Sequence, residues 1–237
     1  MRKPKIIAHR GYSSRYRENT RSAFEAAHKA GADIIELDLV LTKDGRIFVN
    51  HDLDVKGKLV RHMNLEELKD IVPDSMSLEE VLLWAEGKGV GLYLDVKDRD
   101  MLFPLSEILR DLGRNISVVV SSSDDFLFMR RFKERNSHIL TALLFRSVLP
   151  PEDMIHLARK YGGDIIHPCW EKRHPYPHSL LGEEDIACMR AEGFEVVCWH
   201  EERRDELEKL VEKGFWGITT NDPVLLKGLL EGRELSS

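Results

Sequence analysis

Short apolar runs alternate with longer helix-like stretches along nearly the whole chain, and this alternation restricts the fold more than any other feature. It is typical of β/α units, in which parallel strands are joined by crossover helices. Nine runs are predicted to be strands: 5–9, 33–39, 46–51, 91–96, 117–122, 139–145, 164–170, 194–199 and 216–221. Eight stretches are predicted to be helices, near 18–30, 78–88, 101–113, 124–136, 151–162, 183–193, 203–214 and 223–231. Three of these helices have the predicted N-caps Asp100, Ser123 and Asn221.

One predicted strand is surplus to an eightfold barrel, and the stretch IIELDLVLTKDGRIFVNHD (34–52) identifies it. A parallel crossover needs a dozen or more residues, but only TKDG separates the two runs in this stretch. The run at 46–51 is therefore expected to return antiparallel through a hairpin. Eight β/α units remain, which predicts an α/β fold, a (β/α)8 TIM barrel, with a small insertion (46–77) after the second strand. A doubly wound open sheet is the alternative, and we expect one domain over residues 1–237.

The bulk composition argues against nucleic-acid-binding and membrane proteins. The net charge is −6 and the pI is near 6.0, whereas a nucleic-acid-binding domain shows a basic stripe. No apolar run approaches the ~20 residues of a membrane helix, and the first apolar stretch, IIA, is too short for a secretory signal. We expect a cytoplasmic protein with no nucleic-acid partner and no stable membrane insertion. The sequence leaves open whether the chain forms a homo-oligomer. The absence of glutamine beside abundant Lys, Arg and Glu is typical of thermophilic proteins.

Chemically active side chains collect where the predicted strands end. The carboxyl ends of the strands carry the active site in TIM barrels. Six of these ends have polar or aromatic residues: His9 and Arg10, Glu36 and Asp38, Asp95 and Lys97, Ser121 and Ser122, Trp199 and His200, and Thr220 and Asn221. Any one of them alone is explained as a strand end facing water, but six at one rim favour a functional site.

Three of these side chains are carboxylates on neighbouring strands. Glu36 and Asp38 point to one face because side chains alternate along a strand, and Asp95 and Lys97 do the same. Three converging carboxylates repel one another unless a cation holds them. Oxygen ligands favour one hard divalent ion, Mg²⁺, Ca²⁺ or Mn²⁺, over zinc. The alternative is an ion pair of Asp95 with Lys97 or Arg10.

The predicted hairpin brings His51 towards the two acids of the second strand. With a two-residue DG turn Asp38 lies opposite His51, and with a four-residue TKDG loop Glu36 does. Both registers place His51 on the face of the acids, whereas an odd-length loop breaks this arrangement. Asp52 is expected to orient the imidazole or to cap the following turn.

The combined set suits phosphoryl chemistry. His9 and His51 would flank the metal, one accepting a proton from the attacking group and the other donating a proton to the leaving group. Arg10 and Lys97 add fixed positive charge. Neither glycine-rich nucleotide-binding loop is present, so the phosphate is expected on an ester or diester substrate.

Several motifs together resemble the glycerophosphodiester phosphodiesterase family: AHRG, ENT, GADIIELDLVLTKDG, VNHD, LYLDVK, VVCW and GITTNDP. The resemblance runs in order along nearly the whole chain and is most specific over residues 8–52. It implies a metal-dependent TIM barrel of lipid metabolism. Such an enzyme hydrolyses glycerophosphodiesters, such as glycerophosphocholine or glycerophosphoethanolamine, to glycerol 3-phosphate and an alcohol. A lysophospholipase D is the nearest alternative, and a non-catalytic phosphoester-binding barrel is a more distant one.

The resemblance also implies individual roles. These are general acid/base catalysis for His9 and His51, metal binding for Glu36, Asp38 and Asp95, phosphate binding for Arg10 and Lys97, and support by hydrogen bonding for Glu18.

Several positions depart from the family pattern, Asp95 and His200 among them. Asp95 stands where the family usually has Glu, so the metal must shift or admit a water. His200 stands where a Thr usually follows the Trp at 199. The segment 169–185 is long for a β/α loop, and we hypothesise that Trp170, Tyr176 and Trp199 contact a choline or a glycerol at the mouth of the site.

Overall fold

The computed structural model describes residues 3–122 and 125–232. The strands are β1 (Lys5–His9), β2 (Ile34–Leu41), β3 (Ile47–Val49), β4 (Asp54–Val55), β5 (Lys58–Leu59), β6 (Gly91–Val96), β7 (Val118–Ser122), β8 (Leu140–Phe145), β9 (Ile165–Pro168), β10 (Glu195–His200) and β11 (Gly217–Thr220). The helices are α1 (Arg21–Ala30), α2 (Leu65–Ile71), α3 (Leu78–Lys88), α4 (Leu102–Leu112), α5 (Phe126–Arg135), α6 (Pro151–Tyr161), α7 (Glu183–Ala191), α8 (Arg204–Leu210) and α9 (Pro223–Leu230). Short 3₁₀ helices span Val60–His62, Arg99–Met101 and Pro177–Leu180. No helix in this described part has the length and apolarity that a membrane crossing requires.

Eight parallel strands close into a barrel. Their order is β1-β2-β6-β7-β8-β9-β10-β11, and β11 pairs with β1 to complete the ring. A helix follows each of these strands before the next one begins, as a right-handed β/α crossover requires. The predicted TIM barrel is therefore confirmed, and the doubly wound open sheet is wrong.

Alternation along the barrel strands separates two cores. Ile6 and Ala8 of β1 pack outward with Phe24 and Ala27 of α1, while Ile7 points inward. The inward cluster contains residues from across the barrel: Ile7, Ile34, Tyr93, Val119, Ala142, Leu144, Ile165, Val197 and Trp216. Because a side chain two positions further along a strand faces the same way, the residues above this cluster also point into the barrel. Glu36, Asp38 and Asp95 occupy such positions.

The hairpin after β2 is present, but both predicted registers are wrong. Leu39 pairs with Val49 and Leu41 with Ile47, so Asp38 lies beside Asn50, whose N–H donates to the Asp38 carbonyl at 3.1 Å. The loop closes where the Thr42 N–H donates to the Arg46 carbonyl at 2.9 Å, which leaves an odd number of residues, 43–45, between them. Gly45 permits this loop because its φ is +73°. His51 therefore lies beyond the end of β3, in a bend.

The segment between β3 and α3 builds a small core of its own. The β4–β5 hairpin and α2 cover Val40 of β2 and Phe48 of β3 with apolar side chains. These side chains are Val55, Val60, Met63, Leu65, Leu68 and Val72. The helix α2 lies within the predicted insertion 46–77, whereas the two-residue strands β4 and β5 were too short to be predicted.

Two predicted N-caps are wrong by one or two residues. Asp98, rather than Asp100, caps the turn that leads into α4, and Asp222, rather than Asn221, accepts the first free N–H groups of α9 at 3.1 Å. The side chain of Asn221 is engaged elsewhere, with His9. The third predicted N-cap, Ser123, lies outside the described residues.

Replacing Gly11 with Ala is expected to destabilise the barrel strongly. Gly11 has a φ of +83°, and an added Cβ would lie 2.8 Å from the backbone carbon of Ala23 in α1. Strain and overlap together should cost about 3 kcal/mol and lower the melting temperature by roughly 5–12 °C. Gly57→Ala is the matched control, because Gly57 has a φ of +78° but nothing within 4 Å of the new Cβ. Equal losses in the two variants, measured by thermal unfolding, would show that the contact with Ala23 is unimportant.

Candidate active site

A cavity of about 160 Å³ opens at the carboxyl ends of the barrel strands. Of the nine predicted site residues, eight line it: His9, Arg10, Glu36, Asp38, His51, Asp95, Lys97 and Trp199. A larger cavity, about 580 Å³, lies at the other end of the barrel beside Gly113 and Val118, and no carboxylate lines it. We place the functional site in the smaller cavity because it combines the charged groups with the barrel end that carries chemistry.

Three buried carboxylates meet on the wall formed by β2 and β6. The register pairs Asp38 with Asp95 directly and places Glu36 one inward position deeper. One oxygen from each of the three side chains lies within 4.8 Å of the others. The expected cluster is thus present in the fold, and it results from the alternation on β2 combined with the parallel register to β6.

Two cations hold this cluster together. Arg10 Nε lies 3.1 Å from Asp38 Oδ2, and Lys97 Nζ lies 2.9 Å from Asp38 Oδ1 while also donating to Asp95. The ion pair that was the alternative to a metal site therefore exists within the cluster. If all three carboxyl groups are ionised, the two cations leave one negative charge unbalanced.

The pKa values of the three carboxyl groups are shifted in different directions. Desolvation, and next the charges of Asp38 and Asp95, raise the pKa of Glu36 well above its usual range. Burial also raises the pKa of Asp95 despite Lys97, whereas at Asp38 the nearby Lys97 and Arg10 outweigh burial and lower the pKa. A divalent ion among these oxygens would offset the repulsion, so the donor set and its charge fit a hard cation such as Mg²⁺, Ca²⁺ or Mn²⁺.

Glu36→Gln is expected to stabilise the metal-free protein at high pH. Below the ordinary Glu pKa of 4.5 the carboxyl is protonated in both states and the variant gains nothing. As pH rises, the unfolded state ionises first, so the folded wild type loses stability until its raised pKa is passed. With chelator present, the variant should melt roughly 3 °C or more above wild type at pH 8, and at the same temperature at pH 4. A variant that melts below wild type at pH 8 would contradict this account.

His9 is held with one ring nitrogen towards the carboxylates. Its Nδ1 lies 2.7 Å from Asn221 Oδ1, which also accepts from the Ser13 hydroxyl at 2.9 Å. Because an amide oxygen only accepts, Nδ1 carries the proton and Nε2, 4.0 Å from Glu36 Oε2, presents a lone pair. Burial, together with the charges of His200 and Arg10, lowers the pKa of His9 to about 3. The imidazole is therefore neutral and able to accept a proton at Nε2.

His51 reaches the same cavity from the bend after β3. Its side chain is 39% exposed, and its Nδ1 lies 2.8 Å from Asp52 Oδ1. This contact is the orienting role that was one of the two expectations for Asp52. The surroundings of the two histidines thus differ, since His9 is buried beside an amide and His51 is exposed beside a carboxylate.

Glu18 lies behind Arg10, outside the cavity lining. It accepts two hydrogen bonds from Arg10 Nη1, at 2.9 and 3.0 Å, and the Arg10 N–H donates to Glu36 Oε2 at 2.9 Å. The hydrogen bond expected from Glu18 is present, while its importance for activity stays a prediction. Arg10 has a φ of +57°, so its backbone adopts a strained turn that directs both its N–H and its guanidinium towards the acids.

The aromatic groups differ from the hypothesis for the mouth of the site. Trp170 and Trp199 are each 1% exposed and stack on one another at 6.2 Å, and Tyr176 does not line the cavity. The hypothesis is therefore wrong for Trp170 and Tyr176. A bulge between Cys198 and His200 of β10 turns Trp199 towards the outer core and brings His200 inward, where it stacks on His9 at 4.5 Å.

Two supporting residues were missed by the sequence analysis. Asn19 donates to Asp38 Oδ2 at 2.9 Å from the ENT motif, in which only Glu18 had been singled out. Asn221 was noted as a strand-end residue, but its hold on His9 spans 212 positions and has no local sequence signal.

Comparison with known proteins finds one matching family and several relatives. The model of the glycerophosphoryl diester phosphodiesterase family matches residues 9–225. A glycerophosphodiester phosphodiesterase of Caldanaerobacter subterraneus subsp. tengcongensis is 28% identical over 249 residues, which cover 95% of this chain and 97% of that protein. A lysophospholipase D of Homo sapiens is 24% identical over 95% of this chain and 86% of its own.

Solved structures have the same fold. A glycerophosphodiester phosphodiesterase from Thermotoga maritima superimposes with a TM-score of 0.80 at 24% identity, over 97% of this chain and 99% of that one. An Oleispira antarctica phosphodiesterase, solved with the product sn-glycerol-3-phosphate, has a TM-score of 0.83 at 18% identity and covers 97% of both chains. At these identities the structural similarity establishes the barrel fold.

Proposed function

Because the chain belongs to the glycerophosphoryl diester phosphodiesterase family, we propose that it hydrolyses glycerophosphodiesters, such as glycerophosphocholine or glycerophosphoethanolamine, to glycerol 3-phosphate and an alcohol. The observation that carries this proposal is the meeting of three buried carboxylates with His9 and His51 in one cavity. Such a set has the charge and the proton carriers that phosphodiester hydrolysis needs.

In this proposal Glu36, Asp38 and Asp95 hold one Mg²⁺, Ca²⁺ or Mn²⁺ ion. When bound, the ion supplies positive charge that stabilises the developing charge on the phosphate oxygens. Arg10 and Lys97 add fixed positive charge beside it, and their contacts to Asp38 keep both groups in the cavity. Trp199 is included among the substrate-binding residues because it lines the same cavity.

The two histidines divide the proton transfers. His9, neutral and with Nδ1–H held by Asn221, accepts a proton at Nε2 from the attacking hydroxyl. His51, whose Nδ1 lies 2.8 Å from Asp52 Oδ1, donates a proton to the leaving alkoxide. The attacking hydroxyl comes from water or from the glycerol of the substrate, which would give a cyclic phosphate first. Hydrolysis in ¹⁸O-water, with a search for the cyclic product, separates these routes.

A substrate panel tests the proposal. Purified protein with Mg²⁺, Ca²⁺ or Mn²⁺ should release glycerol 3-phosphate and choline or ethanolamine from the two diesters. Release of glycerol and phosphocholine would place the cleavage at the wrong ester bond. A lack of hydrolysis with all three ions would overturn the proposal.

One observation favours lysophospholipase D activity as a second candidate. An apolar groove of about 370 Å³ adjoins the cavity, and Lys97 lines both. Leu53 and Leu59, which line the groove, are 56% and 49% exposed, so the groove offers apolar surface to an acyl chain. Hydrolysis of lysophosphatidylcholine at least as fast as glycerophosphocholine would support this activity. Replacing both leucines with Ser should then slow only the acylated substrate.

A further inference from the structure

We propose that Glu171 selects substrates whose leaving alcohol carries a primary ammonium group, as ethanolamine does. The inference rests on the proposed hydrolysis of glycerophosphodiesters and names the substrate class of the same site. It follows from the position of Glu171 in the cavity, from its lack of an ion-pair partner among the described residues, and from the burial of the aromatic rings in the cavity lining.

Glu171 lies across the barrel mouth from the carboxylate cluster. It follows β9, which is four strands away from β2 in the closed ring of eight, and it lines the same cavity as Glu36 and Asp38. A diester whose phosphate lies beside the cluster therefore extends one of its two alcohols towards Glu171.

One oxygen of the Glu171 carboxylate lacks a hydrogen-bond partner within the described part of the chain. The residue is half-buried, and its Oε2 is buried without a hydrogen-bond partner. No described Lys, Arg or His forms an ion pair with it, whereas Asp38 and Asp95 of the cluster opposite are paired with Arg10 and Lys97. A partly desolvated carboxylate without a donor is unfavourable, and a ligand that brings both a donor and positive charge relieves that cost.

The surroundings favour a primary over a quaternary ammonium group. A quaternary ammonium has no N–H and is held by exposed aromatic faces. The Trp and the Tyr in the cavity lining, Trp199 and Tyr93, are each 1% exposed, and the Trp199 ring stacks on Trp170 and meets Phe215 edge-on. A primary ammonium needs an acceptor oxygen instead, which Glu171 provides.

Another charged group also lines this side of the cavity. Arg146, at the end of β8, is exposed, while Glu171 is half-buried. Because charge interactions strengthen as water is excluded, the carboxylate is expected to dominate recognition of the bound alcohol. A preference for glycerophosphoserine, whose leaving alcohol carries a carboxylate in addition to the ammonium group, over glycerophosphoethanolamine would show that Arg146 dominates instead and would overturn the inference.

The test compares kcat/KM for three diesters that share the same glycerol 3-phosphate half: glycerophosphoethanolamine, glycerophosphocholine and glycerophosphoglycerol. Wild type should have a higher kcat/KM for glycerophosphoethanolamine than for glycerophosphoglycerol, whose leaving alcohol is uncharged. In Glu171→Gln, which keeps the size of the side chain and removes its charge, kcat/KM for glycerophosphoethanolamine should fall about tenfold or more, because a buried charged pair is lost. In the same variant, kcat/KM for glycerophosphoglycerol should change less than about twofold, because the substitution leaves the site folded.

An exposed acid outside the cavity, Glu184, provides the matched control, and Glu184→Gln should leave all three rates unchanged. Equal losses on all three diesters in Glu171→Gln would mean that Glu171 contacts the shared glycerol half, and unchanged selectivity would mean that it contacts neither half. Either result overturns the inference while leaving the proposed hydrolysis intact. Failure of wild type on every diester would instead overturn the proposed hydrolysis, and the inference with it.

Discussion

Removal of divalent ions is expected to lower the hydrolysis of glycerophosphocholine by at least about 100-fold, because the missing charge stabilisation is worth several kcal/mol. Within the cavity, Arg10 and Lys97 are already engaged with Asp38 and Asp95 and replace an ion only in part. The measurement is the initial rate after treatment with EDTA and removal of the chelator. Adding Mg²⁺, Ca²⁺ or Mn²⁺ should restore it.

A second variant separates ion binding from general damage. Asp38→Asn removes the acid that both cations contact and should weaken ion binding, so that activity returns only at much higher ion concentration. The thermal shift on adding the ion should shrink in parallel, which gives a readout independent of turnover. Full activity of wild-type protein in EDTA would eliminate the metal mechanism.

Loss of either proposed proton carrier is expected to have a similarly large effect. His9→Ala and His51→Ala should each lower kcat by about 100- to 10,000-fold, the usual contribution of general acid–base catalysis. The barrel should stay folded in both variants, since one imidazole lies at the cavity wall and the other is partly exposed. Circular dichroism and thermal unfolding check the fold, and His156→Ala on the exposed face of α6 is the control for histidine removal.

A diester with a nitrophenol leaving group assigns the acid and the base. A nitrophenolate leaves without being protonated, so the variant that lacks the general acid should lose much less activity on this substrate. From the contacts of the two rings, we expect this partial recovery in His51→Ala and none in His9→Ala. Recovery in the opposite variant would reverse the assignment, and near-normal rates in either variant on the natural diester would remove that histidine from the mechanism.

Much of the barrel was predictable because its signals are local. The run GLYLDV, for example, has a strand pattern and is β6 with the bounds expected for it, residues 91–96. The acids were predictable for the same reason. Alternation places Glu36 and Asp38 on one face, and the parallel sheet leaves little choice for their neighbour Asp95.

The predictions were wrong where a shift of one residue in strand register decides which side chains meet. His51 was expected opposite an acid on the strand, but the odd-length loop closed by Thr42 and Arg46 moves it into the bend after β3. The bulge at Trp199 likewise changes which of two neighbouring side chains faces the cavity. The ring of Trp199 is buried, and His200 stacks on His9. Neither the loop length nor the bulge has a clear signal in a single sequence.

The amino-acid sequence by itself determined the strand and helix pattern, the barrel, and the group of acids and cations at one rim. These follow from side-chain alternation and from the length of the connections, which are properties of neighbouring residues. The tertiary structure alone decided which partners these groups meet: Asn221 on His9 and Asn19 on Asp38, while Glu171 Oε2 has no hydrogen-bond partner in the part of the chain that the structure describes. Such contacts join distant parts of the chain across the barrel mouth. They depend on closure of the barrel and on strand registers that can differ by a single residue. The free energy of the whole fold decides which register forms.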